Sequence, residues 1–265
     1  MWRFSLMAPP LNRFYIATGT SLYPDGNASA ITKRDLRSIS SVLEKLGYKN
    51  ALPPLSMNPT RDGIINALER WLASDEKKDE VIFYYSGHGE SIYGRHYLPL
   101  CEGRCATEDI FRAFAETPAQ RTLLIFDTCY SGRVTVDIGR ILDSYEDHLE
   151  RRGSFITTVA SSRSLQVAAE SSFTPALVEA LENPDGQWGG RNQAVIPIQE
   201  VIAAVEKRLP DWQRPKVHPF PSTTTGPPQF DFPNVRYVAE LPEGLDLESQ
   251  RNAIEHRARR LAFPT

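Results

Sequence analysis

A histidine and a cysteine, His88 and Cys129, stand 41 positions apart, each just past the end of a short apolar run. The first run, Val81-Ile82-Phe83-Tyr84-Tyr85, leads into Ser86-Gly87-His88-Gly89. The second, Thr122-Leu123-Leu124-Ile125-Phe126, leads into Asp127-Thr128-Cys129-Tyr130-Ser131-Gly132. An imidazole and a thiol brought together form the minimal apparatus for nucleophilic attack on a carbonyl. A thiol is mostly protonated near pH 7 and needs a local base or cation to become a nucleophile. An imidazole titrates near neutrality, so it can assist that deprotonation and later protonate a departing amine once an acyl-enzyme has formed. The glycines beside His88 leave backbone free of side chains, as oxyanion binding requires. The plainer alternative is an inert core thiol and a histidine bonded at a loop end. Asp127, two residues before the cysteine, has two roles open to it as well: capping the loop by accepting backbone N–H bonds, or pairing with a cationic substrate group.

Elements must carry these residues to one place. Both runs are β-branched and aromatic and stop at small polar residues, so both read as strands buried on two faces of a parallel sheet. Function in open α/β sheets gathers beyond the carboxyl ends of such strands. Phe14-Tyr15-Ile16-Ala17 reads as a first strand, and Ile31 to Leu46 as an amphipathic helix with Leu36, Ile39, Leu43 and Leu46 on one face and Gly47 as its cap. Lys49 to Leu52 reads as a short edge strand before Pro53-Pro54, and Thr60 caps a helix through Trp71. Asp75 to Glu80 reads as a solvated turn, Thr107 to Ala115 as a crossover helix and Phe155 to Ala160 as a fifth strand. Between the cysteine and that strand lies a connecting segment, Val134 to Arg152, with a polar helix from Ile138 to Glu150. Helices follow at Pro175 to Leu181 and Pro197 to Leu209, then a proline-rich loop from Pro215 to Pro233 and a last strand at Val235 to Val238. Strands alternating with helices predict an α/β domain of three layers, α/β/α.

The two motifs resemble those of the caspase-like cysteine peptidases, and the metacaspase and bacterial branch more than the animal caspases. That family carries Ser-Gly-His-Gly after one core strand and Asp-x-Cys-x-Ser-Gly after the next, and both are intact here. The animal signature Gln-Ala-Cys-x-Gly, with its His roughly 50 residues upstream, is matched in spacing but not in wording. The resemblance runs from about Arg13 to Glu240 and includes Leu22-Tyr23-Pro24-Asp25-Gly26, Asn58-Pro59-Thr60-Arg61 and Phe173-Thr174-Pro175-Ala176-Leu177. It implies a mainly parallel sheet of about six strands with the last antiparallel, and a cysteine endopeptidase with a dyad of His88 and Cys129. It further implies an oxyanion site of the backbone N–H groups of Gly89 and Cys129, and a pocket for substrate Arg or Lys formed by Asp127, Asp35 and Ser86. Many metacaspases hold calcium in an acidic cluster after the histidine strand; the corresponding residues here, Glu90 to Pro99, are poor in paired carboxylates, so no calcium site is expected. Animal caspases mature by cutting the linker after the cysteine strand. Here that linker bears Arg140 and the pair Arg151-Arg152, which precede a Gly-Ser turn, but its helical reading opposes cutting and the uncut chain is expected to be competent.

Composition bounds the rest. At 265 residues and 29.8 kDa, with 41% hydrophobic and 24% charged residues, the chain fits one soluble domain with extensions. The expected division is an N-terminal extension over 1–12, a peptidase domain over 13–240 and a helical tail or linker over 241–265 with Arg251, Arg257, Arg259 and Arg260. A net charge of −3 gives no footprint for nucleic acid or an anionic membrane. No apolar run approaches the roughly 18 residues that span a bilayer, and the N-terminus, broken by Arg3 and two prolines, does not read as a secretory signal. Three cysteines argue against a disulfide framework and fit a reducing, cytoplasmic setting. Cys101 and Cys105 with His96 could be half a zinc site, but the missing second cysteine pair favours ordinary free thiols, and no metal or cofactor is expected. The expected partner is a protein or peptide substrate. By analogy with bacterial relatives, a further effector or sensor domain or partner protein and a role in stress response or defence are also expected. The alternative function is a catalytically silent caspase-like domain used as a protein-interaction module.

Overall fold

The computed structural model describes residues 11–24, 29–53, 57–116, 119–129, 131, 134, 137, 139, 145–162, 172–184, 193–220 and 230–237. In chain order the elements are β1 (Arg13–Gly19), α1 (Ala30–Lys45), β2 (Lys49–Asn50), α2 (Arg61–Leu72), β3 (Glu80–Ser86), β4 (Glu90–Ile92), β5 (Arg95–Pro99), β6 (Arg104–Ala106) and α3 (Thr107–Ala115). They continue with β7 (Arg121–Asp127), α4 (Glu146–Arg152), β8 (Phe155–Ala160), α5 (Phe173–Glu182), β9 (Val195–Pro197), α6 (Ile198–Glu206), β10 (Lys216–Phe220) and β11 (Asp231–Pro233).

Strand periodicity explains the layering. Tyr15, Ile82, Tyr84, Leu123, Ile125 and Val159 point to one face of the main sheet, where α1, α5 and α6 cover them. Ile16, Val81, Phe83, Tyr85, Leu124, Phe126 and Ile156 point to the other, against α2 and α3. Each such side chain withdrawn from water contributes about 1.5–3 kcal/mol, so the central strands have no free face and no freedom to slip in register. The six strands run in the order β10-β8-β7-β3-β1-β2, all parallel except β10, as the resemblance implied.

That register positions the site. Gly19, Ser86 and Asp127 stand level at the carboxyl ends of β1, β3 and β7. The chain order reverses between β1 and β3, the switch point where open α/β sheets leave a crevice. A Cβ on Gly19 would lie 2.3 Å from the Ser86 carbonyl oxygen, so only glycine lets the strand ends close this tightly.

Several expectations need correction. The antiparallel strand is Lys216–Phe220, inside the stretch read as loop, with Val217 opposite Val159; an edge strand tolerates its prolines because one side makes no ladder. Residues 234–237 form a turn, closed by the Tyr237 N–H on the Asn234 carbonyl (3.0 Å), not the expected last strand. Asp75 to Glu80 is solvated only in its first half. Lys78, Asp79 and Glu80 are buried, and Glu80 is held by Arg13 (2.7 Å), Arg121 (3.2 Å) and the Tyr48 hydroxyl (3.1 Å). Two small sheets, β4-β5-β6 and β11-β9, had no counterpart in the reading. Of the helix expected from Ile138 to Glu150, the described residues are helical at Gly139 and over Glu146–Arg152, with a turn at Tyr145 between. Ile138, Arg140 and Val238, residues 1–10 of the expected extension and the expected tail 241–265 lie outside the described residues.

Candidate active site

His88 is exposed, two residues past the end of β3, on a loop that the β1 end holds in place. Its backbone N–H donates to the Tyr23 hydroxyl (2.8 Å), which donates in turn to the Thr20 carbonyl (2.7 Å). The Tyr23 ring lies on the imidazole, with centroids 4.4 Å apart and planes 37° from parallel. The loop bearing Tyr23 is itself braced: Asn58 Oδ1 accepts the N–H groups of Ser21 (2.7 Å) and Leu22 (3.0 Å). Asn58 sits just before α2, where Thr60 caps the helix by accepting the Gly63 N–H (3.0 Å), as expected from the sequence.

Cys129 is half-buried, two residues past the end of β7. Its loop is tied on several sides. The Gly87 N–H donates to the Asp127 carbonyl (3.3 Å), linking the two strand ends directly. Thr128 carbonyl accepts from Ser161 and Ser162 Oγ (both 3.4 Å), just past β8, and Ser131 Oγ accepts the Ser162 N–H (3.0 Å). A Cβ on Gly89 would meet the Cys129 carbonyl oxygen at 2.2 Å, so the histidine and cysteine loops touch backbone to backbone, and glycine alone fits there. The expected oxyanion pair, Gly89 and Cys129, are therefore neighbours in space.

Beside these loops, on the α1 face of the sheet, two carboxylates lie near one another. Asp35, 2% exposed on the second turn of α1, accepts the Ser86 hydroxyl (3.3 Å), and Ser86 stands opposite Asp127 across the β3–β7 pair. Thr174, in the first turn of α5, donates to Asp127 Oδ2 (2.6 Å) and meets the buried Tyr84 hydroxyl (2.5 Å). Burial pushes the Asp127 carboxyl up to about 6, and the charge of Asp35 adds to this, while the hydrogen bonds of Thr174 and Ser161 oppose it. Asp35 is also raised, by burial first, with the partly exposed Arg34 at 3.5 Å pulling the other way. Such a pair gains by accepting a cation.

Asp35, Ser86 and Asp127 thus lie together on one side, and Gly89 and Cys129 on the other. Cys101, Cys105 and His96 are engaged separately: the Cys101 thiol donates to the Asn58 carbonyl (3.0 Å), Cys105 is buried and pushed up to about 12, and His96 turns to the Cys129 carbonyl (3.1 Å). Among the described residues no group of three metal-ligating side chains gathers, and no described helix is long and apolar enough to cross a membrane. Tyr23 and Thr174 carry no role in the sequence reading beyond their place in the resemblance, and Ser161 reads there as polar loop outside the site. The signal that would have found them is the one that found His88 and Cys129, small polar or aromatic residues just beyond a strand's carboxyl end or opening the next helix.

Residues 18–227 match the family model for the caspase domain. Among solved structures, caspase-1 from Spodoptera frugiperda is similar with a TM-score of 0.59 at 16% identity, over 80% of this chain and 88% of that one. A structural-genomics target from Geobacter sulfurreducens has a TM-score of 0.53 at 16% identity, covering 78% of this chain and 93% of its own. The Drosophila initiator caspase Dronc has a TM-score of 0.52 at 12% identity, over 80% and 81% of the two chains. At such identities the likeness is one of fold. No curated protein matches the chain significantly.

Proposed function

The chain belongs to the caspase family of cysteine peptidases, and on that premise we propose that it is a metacaspase-type endopeptidase that cleaves peptide bonds after Arg or Lys. The observation that carries this reading is the grouping of Asp35, Ser86 and Asp127: a buried carboxylate on α1 and a half-buried one at the end of the strand that leads to Cys129, both raised by burial, with the charge of Asp35 raising Asp127 further. A guanidinium or ammonium entering there would relieve both costs, whereas an acidic or apolar side chain would relieve neither.

In this reading His88 takes the proton from Cys129 Sγ, and the thiolate attacks the carbonyl carbon of the scissile bond. The resulting oxyanion is held by the backbone N–H groups of Gly89 and Cys129. As the C–N bond breaks, His88 returns the proton to the departing amine, leaving a thioester on Cys129. Water, deprotonated by the same imidazole, hydrolyses it and restores the thiol. No cofactor enters these steps. Three cysteines, none in a disulfide, fit a reducing, cytoplasmic setting, and the functional context proposed is bacterial stress or defence signalling with a partner or further effector or sensor domain.

An electrophilic peptide ending in Arg should label Cys129, and a peptide library should show Arg or Lys immediately before the cut. Cys129→Ala or His88→Ala should abolish turnover, and the double variant should be no worse than either single one, because a dyad acts as a unit. Absence of labelling in the folded wild type would favour a silent interaction module instead, and a profile with Asp or a bulky apolar residue before the cut would remove the acidic-pocket reading.

A further inference from the structure

A second histidine lies under the nucleophile. His96 is fully buried, with Nε2 3.1 Å from the Cys129 carbonyl oxygen and 3.2 Å from Thr128 Oγ1. A carbonyl can only accept, so Nε2 carries the hydrogen and Nδ1 is left as a bare acceptor. That Nδ1 is buried with no hydrogen-bond partner among the described residues. An apolar side chain of similar size would fill the space without that cost, so what the histidine adds at this position is the contact of Nε2 with the Cys129 carbonyl and Thr128 Oγ1. Burial also holds the ring down at about 4, so it stays neutral and keeps its tautomer at ordinary pH.

The contacts around it converge. A Cβ on Gly89 would lie 2.2 Å from the Cys129 oxygen and 2.8 Å from His96 Nε2, so the histidine loop, the β4–β5 hairpin and the cysteine loop all meet at one carbonyl. The backbone N–H of His96 donates to Oδ2 of the buried Asp137 (2.6 Å), which ties the segment following the cysteine to the same residue. Fixing a carbonyl fixes the peptide plane that follows the residue, and with it that residue's ψ, one of the torsions that set where its Cα–Cβ bond stands. We propose that His96 is a positioning residue for the nucleophile, holding the Cys129 peptide against Gly89 through its Nε2–H and so setting where the thiol stands relative to His88. His96 itself touches no substrate. This rests on the reading of Cys129 as nucleophile, but not on the choice of Arg or Lys as substrate.

The test is the rate of Cys129 alkylation by iodoacetamide, resolved from Cys101 and Cys105 by peptide mass spectrometry and needing no peptide substrate. His96→Gln places an amide N–H near the Nε2 position, His96→Asn falls short of it, and His96→Leu fills the site without a donor. The Leu and Asn variants should react about tenfold more slowly, since small misplacements at a reacting centre carry large rate costs, while Gln stays within about threefold of wild type. For any peptide the wild type cleaves, kcat should fall in the same order with KM unchanged. Should His96→Leu fail to fold, the Gln and Asn pair carries the comparison. Equal rates across folded variants, or a folded Gln variant as slow as Asn, would overturn the proposal. If the rates keep this order but no peptide ending in Arg or Lys is cut, the substrate reading fails and the positioning role stands.

Discussion

Tyr23 holds His88 by two contacts at once, a tilted ring with its centroid 4.4 Å from that of the imidazole and a hydroxyl that accepts the histidine's backbone N–H at 2.8 Å. Tyr23→Phe keeps the first and removes the second, stranding a backbone N–H. An unpaired donor of this kind costs about 1–3 kcal/mol when buried, and here the loop would be expected to shift rather than bear that cost. We expect kcat to fall about tenfold with KM unchanged, because the acidic pair lies elsewhere; steady-state kinetics on an Arg peptide would show it, and a change confined to KM would contradict it. Asp127 makes a different prediction. With its carboxyl raised to about 6, it is ionised at pH 7.5 and takes up a proton as pH falls through that value. A neutral acid no longer attracts a cation, so KM for Arg peptides should rise below pH 6, while in Asp127→Asn it should be high and flat across the same range. A wild-type KM indifferent to pH between 5 and 7.5 would show that this carboxylate does not meet the substrate.

Among the elements, α4 bears most directly on regulation. Arg151 and Arg152 do not lie in an open turn but in the last turn of the helix, which ends at Gly153 in the left-handed region with its N–H on the Glu150 carbonyl (3.0 Å). Arg151 Nε donates to the Asp147 carbonyl (3.0 Å), Arg152 reaches the Glu116 carbonyl (3.3 Å), and Leu149 anchors the helix in the core. A peptidase cleft takes extended chain, so purified wild-type protein should accumulate no fragments ending at either arginine, by mass spectrometry against Cys129→Ala. Leu149→Asp, which releases the anchor, should let the cut occur. The elements that were readable from sequence are those whose pattern has one physical solution: β3 and β7 are unbroken apolar runs, and α1 repeats Leu36, Ile39 and Leu43 on one face. β10 was missed because Pro219 argues against any strand with two neighbours, and β10 has one. The β4–β5 hairpin was missed because its turn uses Tyr93 at φ 49° before Gly94 at φ 76°, where Asn or Asp is the usual signal. His96 belongs to that hairpin, so its contact with Cys129 was out of reach until the hairpin was placed.

At the scale of the whole molecule, the two ends of the sheet are built on opposite terms. At the amino ends, Glu80 is buried among Arg13, Arg121 and Tyr48, a satisfied charge that fastens β1, β3 and β7. At the carboxyl ends of the same strands, Asp127 is raised to about 6 and Asp35 is raised too, with the exposed Arg34 the one cation paired with the latter among the described residues. The carboxyl end therefore stores a cost that a bound cation would remove. Linkage fixes its sign. A carboxyl that titrates near 6 when folded and near 4 when unfolded binds more protons in the folded state between those values, so its contribution to stability falls as pH rises through that window and is fully unfavourable above it. The difference corresponds to about 3 kcal/mol at most. Asp127→Asn keeps an acceptor for Thr174 and removes the charge, so it should raise Tm at pH 8 by several degrees and by much less at pH 4.5, even as it loses basic substrates, the trade between stability and activity expected where a site is kept strained for function. Thermal melts of both proteins at the two pH values measure it directly. An Asn variant no more stable than wild type at pH 8 would mean that the carboxylate is already compensated in the free enzyme, and that substrate cations have nothing there to relieve.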